Sequence, residues 1–214
     1  MPKLYLLGGE NVFKRSAKLV NERAFQEAGE PLRVLVFPWA RASFDRSYKK
    51  RKRLVDYFIS LGASTINFAE YFDSNESITQ KMADSNLIYL TGGLASVLIE
   101  RLKKMDVNCL LQSYSGVIVG RSAGALALCR KCVITCRSNI PKTKIINGLN
   151  LADLTLKVHY KPEKDSALEQ LSWQEKIYAV HEGSALVYDN GACSFIGDVY
   201  LFENGKKRRL HSFS

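Results

Sequence analysis

No apolar run in this chain approaches the roughly 18–20 residues that a membrane-spanning helix needs, so no such span is expected. The N-terminus, Met1 to Gly9, lacks the hydrophobic core of a secretory signal and is expected to form the first strand of a cytoplasmic protein. Histidine is scarce. His159, His181 and His211 are the three candidates for a histidine base. Five cysteines is an odd count, and Cys129, Cys132 and Cys136 lie close together. The first two have the C-x-x-C spacing of a redox pair or half a metal site. No second C-x-x-C and no histidine pair completes a zinc site, so buried thiols in a reducing compartment are favoured, with no metal or organic cofactor. No internal repeat, low-complexity stretch or clear boundary divides the chain, and a single domain over residues 1–214 is expected.

Acidic residues are in the minority, 21 against 31 Lys and Arg, for a net charge of +10. Much of the excess sits in Lys49-Lys50-Arg51-Lys52-Arg53 and in Lys206-Lys207-Arg208-Arg209. No aromatic residues interleave with the first cluster, as a nucleic-acid stacking platform requires. A solvated helix face and a mobile basic tail are favoured over a nucleic-acid site, with some general attraction for anionic peptides.

What is present is an alternation of strands and helices. Leu4–Leu7, Val34–Phe37, Thr65–Phe68 and Leu87–Leu90 read as strands. Helical spacing runs over 12–28, 43–61 and 75–84, the last with Ser74 as N-cap, and again after Gly93. The alternation predicts an α/β fold with a mostly parallel sheet and helices on both faces. Ligands of such sheets bind at the carboxyl ends of the strands. Gly8-Gly9, Pro38, Gly92-Gly93 and Ser122 all fall there. Beyond residue 130 the pattern changes. Val133–Arg137 looks like a strand, Ile140–Asn150 a loop, Leu154–His159 a strand and 163–174 a helix. Short C-terminal antiparallel strands follow, with turns at Asp189-Asn190-Gly191 and Asn204-Gly205.

The chain is organised around Gly120-Arg121-Ser122-Ala123-Gly124. An apolar strand precedes it and a helix start follows, the context of a nucleophile elbow. Side chains at Gly120 and Gly124 would clash where the strand and helix approach. The turn would lift the Ser122 hydroxyl above the sheet edge and aim the Ala123 N–H at a developing oxyanion.

A serine hydroxyl needs an adjacent base. His159, at a strand end, is preferred to His181 and to His211 in the basic tail. Glu163, Asp165, Glu182, Asp189 and Asp198 could each orient it; Glu182, in a tight loop before Gly183, leads.

With the order Ser122, His159, Glu182 in place, the chain resembles the S51 peptidases, the family of aspartyl dipeptidase and cyanophycinase. The resemblance rests on Leu-Leu-Gly-Gly at 6–9, Leu-Thr-Gly-Gly at 90–93, Gly-Arg-Ser-Ala-Gly-Ala at 120–125, Val-His-Tyr at 158–160 and Glu-Gly-Ser-Ala-Leu at 182–186. It implies a fold related to class I glutamine amidotransferases and a serine hydrolase acting on short peptides, by default those with an acidic first residue. Ser122 would be the nucleophile, His159 the base and Glu182 the acid, with oxyanion donors from Gly92 or Gly93 and Ala123. Two departures flank the site: Leu94 follows the glycine pair where many members have asparagine, and Tyr160-Lys161-Pro162-Glu163 follows the histidine. Related folds often dimerise, so a homodimer is an open expectation. An esterase using Ser122 and a non-catalytic peptide-binding module are the rival readings.

Overall fold

The computed structural model describes residues 1–41, 51–134 and 143–211. Its first half runs β1 (Lys3–Leu7), α1 (Lys18–Ala28), β2 (Arg33–Phe37), α2 (Arg51–Ile59), β3 (Thr65–Phe68), α3 (Asn75–Ala83), β4 (Leu87–Leu90), α4 (Ala95–Lys104), α5 (Val107–Ser113), β5 (Val117–Arg121) and α6 (Ala123–Leu128). The second half adds β6 (Cys129–Ile134), β7 (Lys144–Asn147), β8 (Ala152–Lys157), a 3-10 turn (Pro162–Lys164), α7 (Asp165–Leu171), β9 (Ile177–Val180), β10 (Ala185–Asp189), β11 (Ala192–Ile196), β12 (Val199–Glu203) and β13 (Lys206–Leu210).

The main sheet has the order β11-β10-β1-β5-β4-β2-β3. Its five first-half strands are parallel, and β10 and β11 extend it antiparallel beside β1. The apolar runs are continuous because both faces are covered. Leu4, Leu6, Leu35, Phe37, Ile88, Leu90 and Ile118 enter one core, with α3, α4, α5 and α6. Tyr5, Leu7, Val34, Val36, Tyr89 and Val119 enter the other, with Val20, Ala24 and Phe25 of α1 and Leu54, Tyr57 and Phe58 of α2.

A second sheet, β13-β12-β9-β8-β6-β7, was not legible as a separate body in the sequence. It packs on the first core through Cys132, Leu154, Leu156, Val158, Val180 and Val199. Its other face holds Tyr160, Ile177, Ala179 and Phe202 against Leu168 of α7. The chain crosses between the sheets after β9, and that crossing carries Glu182.

Several expectations change. The first helix starts at Lys18 rather than residue 12, because Asn11 Oδ1 accepts from the N–H groups of Phe13 and Lys14 and holds a turn. Residues 144–147 form a strand where a loop was expected. The helix read over 163–174 is a 3-10 turn followed by a shorter α7. The supposed mobile basic tail is the edge strand β13, tied down by Lys207 to Asp165 and by Arg209 to Asp198. Other readings hold. Ser74 caps α3 by accepting from Ser77 N–H at 3.2 Å. Both C-terminal hairpins turn through a positive-φ pair, Asn190-Gly191 and Asn204-Gly205. Lys49, Lys50, Cys136, Pro141 and the first part of the helix read over 43–61 lie outside the described residues. No helix among the described residues is long and apolar enough to cross a membrane.

Candidate active site

The carboxyl ends of the parallel strands open into a cleft of about 510 Å³. Glu10 and Asn11 after β1, Arg41 after β2, Gly92 and Gly93 after β4, and Arg121 and Ser122 of the elbow line it together with His159 and Glu182. Pro38 is buried and does not line the cleft; its segment contributes Arg41 instead.

Ser122 sits between β5 and α6 at φ 53° and ψ −104°, a backbone region that costs a side chain strain. Its N–H donates to Leu7 C=O at 3.1 Å, and its C=O accepts from Leu126 N–H at 3.0 Å, so both flanking elements hold the turn. The glycines around it are steric necessities. A Cβ at Gly120 would lie 2.6 Å from Ala125 N, and one at Gly124 would lie 2.4 Å from Leu90 O.

The imidazole comes from the second sheet. His159 follows β8 at φ 50°, and its N–H donates to Gly8 C=O at 2.7 Å. Glu182 comes from the crossing between β9 and β10, where Gly183 N–H donates to Gly9 C=O at 2.9 Å. Both delivering loops therefore press on the glycine pair that ends β1. A Cβ at Gly8 would lie 2.2 Å from His181 O. One at Gly9 would lie 2.4 Å from His159 Cε1 and 3.2 Å from Glu182 Cγ. The sequence marked Gly8-Gly9 as a strand end, but its use as a seat for the loops of a second sheet needed the tertiary fold.

The side chains meet in a chain of two contacts. Ser122 Oγ lies 2.7 Å from His159 Nε2, and His159 Nδ1 lies 2.9 Å from Glu182 Oε1. A carboxylate only accepts, so this network puts the imidazole proton on Nδ1 and leaves Nε2 to accept from the serine hydroxyl. Such an arrangement can draw a proton from the hydroxyl as it attacks an electrophile. Ala123 is buried and opens α6. Gly92 approaches the serine closely, since a Cβ there would lie 3.5 Å from Ser122 Cβ. Gly93, Ser122, Ala123 and His159 also border a smaller cavity of about 160 Å³ with Leu126, Val133 and Val158 in its walls.

The alternative residues lie elsewhere. His181 Nδ1 faces Glu182 O, and exposed His211 follows β13; neither lines the cleft. Asp165 accepts from Tyr160 and Lys207, Asp198 pairs with Arg209, Asp189 sits at its hairpin beside Lys3, and Glu163 is exposed on the 3-10 turn. The thiols of Cys129 and Cys132 are buried and donate to Ala125 and Leu126 carbonyls. Burial pushes the Cys132 thiol up to about 12 and the Cys129 thiol well above its ordinary value, so both stay protonated and inert. Glu10, Arg41 and Arg121 also line the cleft; Glu10 and Arg41 carry no local sequence signal, and the elbow pattern around Arg121 assigns its side chain no role.

Comparisons with known proteins speak to family and fold. The model of peptidase family S51 matches residues 4–196. Among curated proteins, none matches the sequence. The crystal structure of a peptidase from an acI-B1 Actinobacterium is similar over 100% of this chain and 96% of its own, with 18% identity and a TM-score of 0.75. A candidate peptidase E protein from Listeria monocytogenes EGD-e is similar over 98% of this chain and 99% of its own, with 21% identity and a TM-score of 0.68. At these identities the two structures speak for the shared fold.

Proposed function

The chain belongs to peptidase family S51 and is a serine-type peptidase, and on that premise we propose that Ser122, His159 and Glu182 carry the reaction on short peptides. The observation that supports this most strongly is the unbroken contact from Ser122 Oγ through the His159 imidazole to Glu182. In this reading Ser122 Oγ attacks the scissile carbonyl while His159 Nε2 takes its proton. The imidazolium, stabilised by Glu182, then protonates the leaving amine. Water attacks the acyl-enzyme with His159 again as base, releasing the acid product and restoring the serine. The Ala123 N–H, with that of Gly92 or Gly93, receives the negative oxygen of each tetrahedral intermediate. Every step draws on groups of the protein and on water.

A dipeptide or short peptide with an acidic first residue is the substrate we favour. Arg41 and Arg121 stand in the cleft walls beside Glu10 and Glu182, and the two guanidinium groups suit such a side chain. Buried reduced thiols suit a reducing compartment, so we place the activity in the cytoplasm, within one domain spanning the chain.

The test is hydrolysis of a dipeptide panel by wild type and Ser122→Ala. The substitution should lower kcat by about 10⁴-fold or more with the circular dichroism spectrum unchanged. Normal turnover by Ser122→Ala would remove Ser122 from the mechanism.

A further inference from the structure

One carboxylate in the cleft has no part in the reaction above. Glu10 follows Gly9 directly, and Gly9 lies against the His159 ring. The Glu10 side chain is fixed from beneath: Oε1 accepts from Asn21 Nδ2 at 3.1 Å, and Oε2 accepts from the Tyr89 hydroxyl at 3.2 Å. Asn21 also donates to the Tyr57 hydroxyl at 3.1 Å. Asn21, Tyr57 and Tyr89 are all buried, so helices α1 and α2 and strand β4 together hold this one carboxylate in place.

The holding groups orient Glu10 without neutralising it. Burial raises both phenols far above their ordinary range, so both remain neutral, Tyr89 as a donor to Glu10 and Tyr57 as an acceptor from Asn21. Among the described residues, no Lys or Arg forms an ion pair with Glu10. The neighbouring cations lie over the phenol rings instead, Arg15 at 5.2 Å from the Tyr57 centroid and Arg121 at 6.0 Å from that of Tyr89. A carboxylate held by neutral donors in a cleft that also contains Ser122 keeps lone pairs for a cationic group brought by a ligand.

We propose that Glu10 receives an ammonium group of the substrate, and that this group is the peptide's free α-amino terminus. The proposal rests on the peptidase reading above and names the residue that would hold the amino end of the short peptides favoured there; a blocked terminus would lose that contact. A lysine side chain presents the same chemistry, so the experiment separates the two sources.

Equilibrium binding by calorimetry to Ser122→Ala keeps the measurement independent of turnover. The ligands are Asp-Leu, N-acetyl-Asp-Leu and N-acetyl-Lys-Leu. The free dipeptide should bind about 10- to 100-fold more tightly than its acetylated form, as expected for loss of a charged hydrogen bond. In Ser122→Ala/Glu10→Gln that gap should close. The proposal is overturned if acetylation costs nothing, if the gap survives Glu10→Gln, or if Glu10→Gln weakens only N-acetyl-Lys-Leu. Turnover of Asp-Leu by the wild type is measured in parallel. Binding that depends on Glu10 without turnover would contradict the peptidase chemistry while leaving the ammonium site standing.

Discussion

The two sides of the cleft are built differently. On the elbow side, Ser122 is enclosed by the main sheet, and its flanking glycines touch backbone: Ala125 N beside Gly120 and Leu90 O beside Gly124. Backbone atoms in a packed sheet cannot yield, so the position of Ser122 is fixed by β4, β5 and α6 together. On the other side, His159 and Glu182 ride on loops that leave strands β8 and β9 of the second sheet, with side chains 29% and 53% exposed. They are located by backbone hydrogen bonds to Gly8 and Gly9 and by one contact to each other. Ser122 therefore owes its placement to the core, whereas His159 and Glu182 owe theirs to how closely two loops settle on one glycine pair.

This contrast can be sharpened by substitution, beginning with the largest expected effect. His159→Ala should cost nearly as much activity as loss of the serine, about 10⁴-fold or more in kcat, because nucleophile and base act as a unit. Retained activity in dipeptide hydrolysis would show that the base lies elsewhere. Gly9→Ala should come next, at about 10²-fold or more. Its Cβ would displace the imidazole and leave the elbow untouched, so melting temperature should fall less than activity does. Equal losses in a thermal melt and a kinetic assay would show that Gly9 serves the fold instead. Glu182→Gln should lower kcat by roughly 10- to 100-fold less than His159→Ala, since an exposed acid leaves water free to take over part of its role. Gly124→Ala should show the opposite profile to Gly9→Ala, with about 1–3 kcal/mol of stability lost in denaturant unfolding through overpacking against Leu90. Smallest of all, Lys207→Ala breaks a half-exposed ion pair to Asp165 and should cost at most about 1 kcal/mol with no change in turnover.

The same contrast explains what could be read from the sequence. The parallel strands announced themselves because burial on both faces makes each a short, continuous apolar run. Ser122 was legible because a strained strand-to-helix turn admits only small neighbours. His159 stood out through scarcity. The second sheet was hidden because local periodicity identifies a strand without naming its partners, and Leu154–His159 looks the same in either sheet. Strand β13, with Lys206, Lys207, Arg208 and Arg209 in succession, lacks the alternation of a half-buried strand because it lies at an exposed sheet edge. The spacing of Phe13 and Ala17 suggested helix, but Phe13 is exposed and the segment is held by Asn11. Glu10 resembles any surface carboxylate until Asn21 and Tyr89, distant in sequence, are found beneath it.

The measurement closest to the central claim is reaction of the intact protein with a fluorophosphonate, with the adduct located by mass spectrometry. An activated elbow serine should give a single adduct at Ser122 in the wild type and none in folded His159→Ala. An adduct at another residue, or equal modification of Ser122 with and without His159, would contradict a nucleophile activated across the two sheets.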